Sequence, residues 1–150
     1  MLAAMPVLPG SNPGSESSLQ KLEQQIFQKV NAARAENQAP PLSWKEELAS
    51  EARRHARNMA ARSFFSHEDP QRGEISKRLD ASGINWNRCA ENIYREQGLQ
   101  NPTEDAIQSW LQSSGHRTNM LDRGFAETGV GVAVQPDGTT YVVQVFIRTY

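Results

Sequence analysis

Apolar positions recur at helical spacing in the early part of the chain. Between residues 19 and 33 they fall three or four positions apart, which predicts an amphipathic helix that begins after Ser17 or Ser18. The prolines at 40–41 predict its end, because proline cannot continue a helix. The same spacing then resumes and predicts a second helix from about Ser43 to Ala61.

Two further helices are predicted in the middle of the chain. The stretch EISKRLDASG predicts a short helix ended by Gly83, because glycine readily adopts the conformation that terminates helices. In NPTEDAIQSWLQSSG, Asn101 can cap a helix and Glu104 stands where a capping box requires an acid. Trp110 lies on the apolar face of this helix and is predicted to anchor the core, and Gly115 is predicted to end the helix.

The period of the pattern changes from helical to alternating near the C-terminus. GVGVAVQPDGTTYVVQVFI predicts two strands, and QPDG predicts the tight turn between them. Gly129 and Gly131 alternate with valines, which leaves one face of the first strand bare for close packing. Helices followed by a hairpin predict an α+β fold in which helices pack on an antiparallel sheet.

Composition narrows the classes of protein that fit this pattern. The chain has 150 residues, 37% hydrophobic residues and a net charge of -1. We therefore expect one domain over residues 17–150 and no nucleic-acid partner, because nothing forms a basic patch. No apolar run approaches the roughly 20 residues of a membrane span, and no signal for an oligomer stands out, so we expect a monomer. Residues 1–16 are interpreted as a flexible leader left by processing or cloning, without an intact signal peptide.

Cys89 is the single cysteine, which excludes an internal disulfide and any multi-cysteine zinc site. We predict that it is reduced and largely buried near Glu91. A thiol nucleophile is not favoured, because RCAENI contains nothing that would lower the pKa of the thiol. The hydroxyl of Ser66 adjoins His67, but neighbours in sequence do not ordinarily face each other as a nucleophile and its base must.

The chain has three histidines, in RRHARN, FFSHEDP and SSGHRTNML. His55 lies within a predicted helix and is predicted to be a half-exposed helical residue. His67 and His116 lie in segments flanked by loop-forming residues, and Glu91 stands between them in the chain. Two imidazoles and a carboxylate can hold a divalent ion such as zinc, can form an acid-base site, or can be unrelated, and spacing alone leaves these alternatives open.

An ordered series of motifs resembles the CAP superfamily, also called SCP or PR-1-like domains. VNAARAENQAPPLSWKEELASEARRHARNMA resembles the first two helices of the family and their connecting loop. FFSH, AENIY and AIQSWLQSSGHRTNML resemble the two histidine motifs and the Glu-Asn motif between them, and FAETGVGVAV with YVVQVF resembles the closing strands. The resemblance extends from Leu22 to Ile147, and the SSGHRTNML form is similar to the bacterial branch.

This resemblance implies a three-layer α-β-α sandwich with a central cleft. Matched one residue at a time, the family's cleft residues correspond to His67, Glu91 and His116 of this chain. The resemblance to some relatives implies that these residues hold a divalent metal, zinc first. The family's second acidic residue falls on Ser113, so the chain departs from the usual four-residue set. Either the site has three members, or another acid such as Glu68, Asp69 or Glu127 approaches it in space.

The same resemblance implies a secreted protein and leaves its activity open. We expect a non-catalytic binding module whose cleft holds a metal ion or a small-molecule, lipid or protein ligand. The alternative is a hydrolase of protease or esterase type that uses His67, Glu91 and His116, with Ser66 supplying a hydroxyl.

Overall fold

The structure is a computed structural model that describes residues 15–98 and 101–150. Its helices are α1 (Glu16–Glu36), α2 (Glu46–Arg62), α3 (Ile75–Ala81), α4 (Pro102–Gln112) and α5 (Ser114–Leu121), and its strands are β1 (Ser43–Trp44), β2 (Arg88–Glu96), β3 (Glu127–Val134) and β4 (Thr140–Arg148). Most of the predicted leader lies outside the described residues. Helix α1 begins slightly earlier than predicted, because the side chain of Ser15 accepts a hydrogen bond from the backbone N–H of Ser18 at 3.2 Å.

The four strands form one sheet in the order β1-β3-β4-β2, so β4 is central and β2 forms one edge. Strand β4 pairs antiparallel with both neighbours and is buried from Thr140 to Ile147. Its side chains alternate between two cores. Val142 and Phe146 pack in a core that includes residues of α1, α4 and α5, whereas Val143 and Val145 pack in one with residues of α2 and α3. The predicted α+β fold and α-β-α layering are therefore confirmed.

The bare glycine face of β3 is also confirmed, and α2 occupies it. A Cβ atom on Gly129 would overlap the backbone nitrogen of Ala49, and one on Gly131 would overlap that of Arg53. The helix axis therefore approaches the strand more closely than any side chain at those two positions would allow. This contact sets the distance between α2 and the sheet.

Three local assignments differ from the sequence predictions. Ser43 and Trp44, predicted to open α2, instead form β1, which runs parallel to β3. RCAENIYRE was not predicted as a strand and forms the whole of β2. The helix that starts at Asn101 ends at Gln112 rather than at Gly115, because Ser113 adopts an extended conformation and a new helix, α5, follows it.

Trp110 is fully buried, as predicted, and its indole N–H donates to the carbonyl oxygen of Ile93 at 3.0 Å. Asn119 of α5 donates in the same way to the carbonyl oxygen of Glu91 at 3.5 Å. Helices α4 and α5 thus cover backbone acceptors along the outer edge of β2. An edge strand with free acceptors would invite pairing with another chain, and these two side chains prevent it at that point.

His55 is fully buried, which corrects the prediction of a half-exposed residue. Its Nε2 lies 2.8 Å from the carbonyl oxygen of Ser66, so the ring ties α2 to the loop that follows it. The ring also packs edge-on against Phe64. Burial lowers the pKa of His55, because the apolar surroundings disfavour the charged imidazolium.

Substituting Gly131 with alanine tests the close contact between α2 and β3. We expect Gly131→Ala to lower the free energy of unfolding by about 1–3 kcal/mol, since overpacking of this size displaces backbone. Gly115→Ala is the control, because a Cβ there meets nothing within 4 Å and alanine favours helix by roughly 0.5–1 kcal/mol. Urea denaturation measures both. Equal stability of Gly131→Ala and wild type would contradict the proposed contact.

The buried imidazole of His55 predicts a pH-dependent stability. Its pKa is lowered in the folded state, so the unfolded chain binds a proton at higher pH than the native chain does. The stability contribution is complete above the ordinary pKa of about 6.5 and is lost as the pH falls below it. The difference in unfolding free energy between wild type and His55→Gln should shrink between pH 7.5 and pH 5. A difference that stays constant over this range would contradict the assignment.

Candidate functional site

A cleft of about 420 Å³ lies where the loop after α2, strand β2 and the start of α5 meet. The residues that line it are Phe65, Ser66, His67, Glu68, Glu74, Ile93 and His116. The two histidines from distant segments therefore share one cavity. The lining combines an aromatic ring and an aliphatic side chain with imidazoles and carboxylates, a composition typical of binding sites.

The two histidine segments are held by consecutive residues of β2. Successive side chains of a strand point to opposite faces of the sheet, so Glu91 and Asn92 reach different layers. Glu91 meets the ring of His67, whereas the amide of Asn92 donates to the carbonyl oxygen of His116 at 3.0 Å. Asn119 in turn donates to the side-chain oxygen of Asn92 at 3.0 Å. The Glu-Asn pair thus positions both sides of the cleft.

Glu91 is paired with a fully buried arginine. The guanidinium of Arg78 donates to both carboxylate oxygens of Glu91, at 2.9 and 2.8 Å. It also donates to the carbonyl oxygens of His67 and Gly73, at 2.9 and 3.0 Å. One side chain therefore fixes the Glu91 carboxylate and both ends of the loop that carries His67. Charge-assisted bonds of this kind are stronger than neutral ones and are directional.

The ion pair extends into a chain of alternating charges. Glu51 lies 3.5 Å from Arg78 and 2.7 Å from Arg72, and its side chain is also buried. The series Glu91, Arg78, Glu51 and Arg72 is therefore electrically balanced. A buried charge without a partner is strongly unfavourable, so each member depends on its neighbours.

His67 is oriented by Glu91 and remains accessible. Its Nδ1 lies 2.9 Å from a carboxylate oxygen of Glu91, while 53% of its side chain is exposed. An ionised carboxylate can only accept a hydrogen bond, so in the neutral form of the ring Nδ1 carries the hydrogen and Nε2 keeps the lone pair. This is the tautomer that a carboxylate partner imposes on a metal-binding or basic histidine.

His116 lies in the first turn of α5 rather than in a loop. Its Nδ1 is 2.8 Å from the hydroxyl oxygen of Ser113, and its ring stacks on Trp110 with centroids 6.5 Å apart. Burial, followed by the nearby His67 ring, lowers the pKa of His116. The ring is therefore held neutral at neutral pH. Ser113, which occupies the position of the family's second acid, is the hydrogen-bond partner of this histidine.

The other acids named as candidates occupy different places. Glu68 lines the cleft, but Asp69 is buried and accepts hydrogen bonds from the backbone of Gln71 and Arg72 within its own loop. Glu127 begins β3 and lies 3.8 Å from Lys45, away from the cleft. The remaining acid in the cleft lining is Glu74, which the sequence did not suggest.

Within the described residues, neither the hydroxyl of Ser66 nor the thiol of Cys89 has a hydrogen bond to an imidazole. The hydroxyl of Ser66 accepts from the backbone N–H of Glu68 at 3.0 Å, inside its own turn. Cys89 is free and half-buried on β2, less buried than predicted. Burial raises the pKa of its thiol, which disfavours the reactive thiolate.

The predicted metal ligands His67, Glu91 and His116 remain a prediction. In residues 15–98 and 101–150, no group of three or more histidine, cysteine or acidic side chains is arranged to hold an ion. Both oxygens of Glu91 accept hydrogen bonds from Arg78. The Nε2 atoms of His67 and His116 have no hydrogen bond within the described residues.

Comparisons with known proteins agree with this geometry. The model of the cysteine-rich secretory protein family, CAP, matches residues 27–146. The uncharacterised protein YkwD of Bacillus subtilis is 31% identical over 115 residues, which are 77% of this chain and 44% of YkwD. The chain therefore spans less than half of that relative. Within the described residues, no helix is long and apolar enough to cross a membrane.

Two solved structures show the same architecture. An extracellular protein containing a SCP domain from Bacillus anthracis superposes with a TM-score of 0.78 at 30% identity, covering 97% of this chain and 45% of that one. NaASP2 crystallised with Zn²⁺ gives a TM-score of 0.57 at 18% identity, covering 90% of this chain and 81% of that one, and shows the fold alone. With the matched family model and the paired histidine segments, these findings establish that the chain belongs to the CAP, or cysteine-rich secretory protein, family.

Proposed function

We propose that this chain is a secreted, non-catalytic CAP-domain binding module whose cleft holds a divalent cation, zinc first, between His67 and His116. The observation that carries the proposal is the pair of imidazoles in one cavity, each with Nδ1 engaged and Nε2 free. Neutral imidazole nitrogen is a common zinc ligand, and orienting partners raise its basicity. Zinc would supply a Lewis-acidic centre that binds an anionic or carbonyl oxygen of a further ligand.

Each residue has a distinct part in this proposal. Glu91 orients His67 and is assigned this orienting part alone, with Arg78 holding both of its oxygens in place. Ser113 orients His116, and the lowered pKa of His116 keeps its lone pair available at neutral pH. Two protein ligands hold an ion less firmly than three or four, so the ion should exchange readily and leave positions for water or an incoming ligand.

The geometry favours binding over hydrolysis. Ser66 has no base within hydrogen-bond reach in the described residues, and its hydroxyl is used within its own loop. Ser113 does contact His116, but its hydroxyl meets Nδ1 and no carboxylate orients the other nitrogen of that ring. In the described residues, therefore, no chain of hydrogen bonds joins a nucleophile, a base and an orienting acid as a hydrolytic triad requires.

Secretion is supported by the Bacillus anthracis structure, which is described as an extracellular protein. An extracytoplasmic location would also suit a cleft that exchanges its ligand with the surroundings. The ligand beyond the cation is proposed to be a small molecule, a lipid headgroup or a protein segment that reaches the two imidazoles.

Calorimetric titration with zinc at pH 7.5 tests the metal proposal. We expect wild type to bind one zinc ion. The double variant that combines His67→Gln with His116→Gln should lose that binding, because both ligands are then absent. Ser113→Ala should bind about tenfold more weakly, since outer partners of a ligand histidine typically contribute that much. Glu104→Gln is the control, because its side chain pairs with Lys29 away from the cleft. Unchanged binding by the double histidine variant would overturn the proposal.

A panel of peptide and ester substrates tests the non-catalytic proposal. We expect wild type to show no turnover above that of the double variant His67→Ala with His116→Ala, because no hydroxyl or thiol is activated. Turnover by wild type that disappears in His116→Ala but survives in Ser66→Ala would identify a hydrolase working through water. Loss in Ser66→Ala as well would restore the serine mechanism and contradict the geometry described above.

A further inference from the structure

A second cavity, of about 350 Å³, adjoins the histidine cleft. Arg95 and Gln97 at the end of β2 form one side of it, and Gln135, Asp137 and Thr139 of the turn between β3 and β4 form the other. This second groove contains none of the residues assigned to the cation site. Nothing in the proposed metal chemistry accounts for it.

The two cavities meet at an aromatic side chain. The guanidinium carbon of Arg95 lies 4.8 Å from the centre of the Phe65 ring, which itself lines the histidine cleft. Along β2, Ile93 lines the first cavity and Arg95, two residues further on, lines the second, while Gln97 follows just beyond the end of the strand. Ile93 and Arg95 share one face of the strand, so the two cavities lie in succession along it. We call them together the extended groove.

The charge of the lining excludes a polyanion. Glu68, Glu74 and Asp137 contribute three carboxylates, and Arg95 contributes one guanidinium. The pKa of Asp137 is lowered by hydrogen bonds from the backbone and hydroxyl of Thr139, so this acid is ionised at neutral pH. A nucleic acid or a sulfated polymer would meet repulsion from Glu68 and Glu74 in the histidine cleft and no compensating net attraction in the second cavity, where Arg95 and Asp137 balance.

The polarity of the second cavity and the bonded backbone of β2 disfavour two other classes of ligand, lipid chains and extended peptides. A lipid chain requires apolar walls, whereas the second cavity is lined mainly by amide, hydroxyl and charged groups. An extended peptide would add to the free edge of β2, but carbonyl oxygens of Glu91 and Ile93 already accept from Asn119 and Trp110. What remains is a neutral, elongated ligand rich in hydroxyl groups.

Phe65 supplies the apolar contact that such a ligand needs. It is 40% exposed, one of two large hydrophobic side chains in the described residues that are exposed to this degree. The C–H face of a sugar ring packs on an aromatic ring, while amides and guanidinium groups bond pairs of adjacent hydroxyls. The guanidinium of Arg95 lies over one face of Phe65, but neither it nor the side chain of Gln97 has a hydrogen bond in residues 15–98 and 101–150, so the N–H groups of both are available to a ligand.

We propose that the extended groove binds a neutral oligosaccharide chain. One sugar packs on Phe65, the preceding ring lies over Arg95 and Gln97, and the following ring enters the histidine cleft. The proposal does not depend on the cation, because its contacts come from Phe65 and from the second cavity. It assigns a ligand class to a surface that the family's histidine pair does not explain.

Titration with soluble oligosaccharides, followed by amide NMR of the labelled protein, tests the proposal. The probes are cellohexaose, chitohexaose and maltohexaose, each with and without EDTA. We expect at least one probe to shift the amides of Phe65, Arg95 and Gln97, with equal affinity in EDTA. Phe65→Ala and Gln97→Ala should each weaken the dissociation constant about tenfold, the usual scale for losing a central contact.

Tyr150→Ala is the matched control, because Tyr150 is the other exposed aromatic and is 91% exposed at the C-terminus. Its affinity should equal that of wild type, and melting curves should show all three variants folded. Absence of shifts with every probe would overturn the proposal, as would binding that survives both Phe65→Ala and Gln97→Ala. Tighter binding of an unstructured hexapeptide in the same groove would replace the oligosaccharide with a peptide.

Discussion

The contact between Arg78 and Glu91 is the interaction on which the site depends. Both side chains are buried, and an unpaired charge in that position would destabilise the fold by several kcal/mol. Glu91 therefore cannot leave Arg78 without disrupting the core. This constraint keeps the Glu91 carboxylate where it accepts the hydrogen bond of His67.

The same ion pair links the core to the cleft through the loop after α2. Arg78 holds the carbonyl oxygens of His67 and Gly73, and His55 holds that of Ser66. The backbone on both sides of His67 is thus anchored to buried side chains of α2 and α3. The loop carries an exposed imidazole on a rigid frame, which is the arrangement that a preorganised binding site requires.

The sequence was sufficient for α1 to α4 and the closing hairpin but not for β2 and α5, which form walls of the cleft. Regular apolar spacing predicted α1, α2 and α4, and paired glycines predicted the face that α2 covers. Strand β2 was not predicted because the ionisable residues Glu91, Arg95 and Glu96 obscure its alternation of apolar and polar positions. The burial of Glu91 depends on Arg78, a partner 13 positions earlier in the chain. No local signal reveals such a pairing.

His55 is a second residue whose burial could not be predicted from the sequence. Its spacing placed it with the buried residues Ala52, Ala56 and Met59, yet a polar side chain is ordinarily taken to be exposed. Only the fold shows the carbonyl group that bonds its Nε2, while Nδ1 is buried without a partner in the described residues. The break at Ser113 was missed for a related reason, because serine carries no helix-ending signal comparable to glycine or proline, and the prediction relied on Gly115 instead.

The contact of α2 with the glycine face of β3 has a consequence for motion in the molecule. Because backbone lies directly on backbone at Gly129 and Gly131, α2 cannot roll about its axis or slide along the strand without collision. Packed layers of this kind resist continuous deformation. Movement of α2 is therefore not available for fitting the cleft to a ligand, and the wall that α2 supports keeps its position when the cleft is filled.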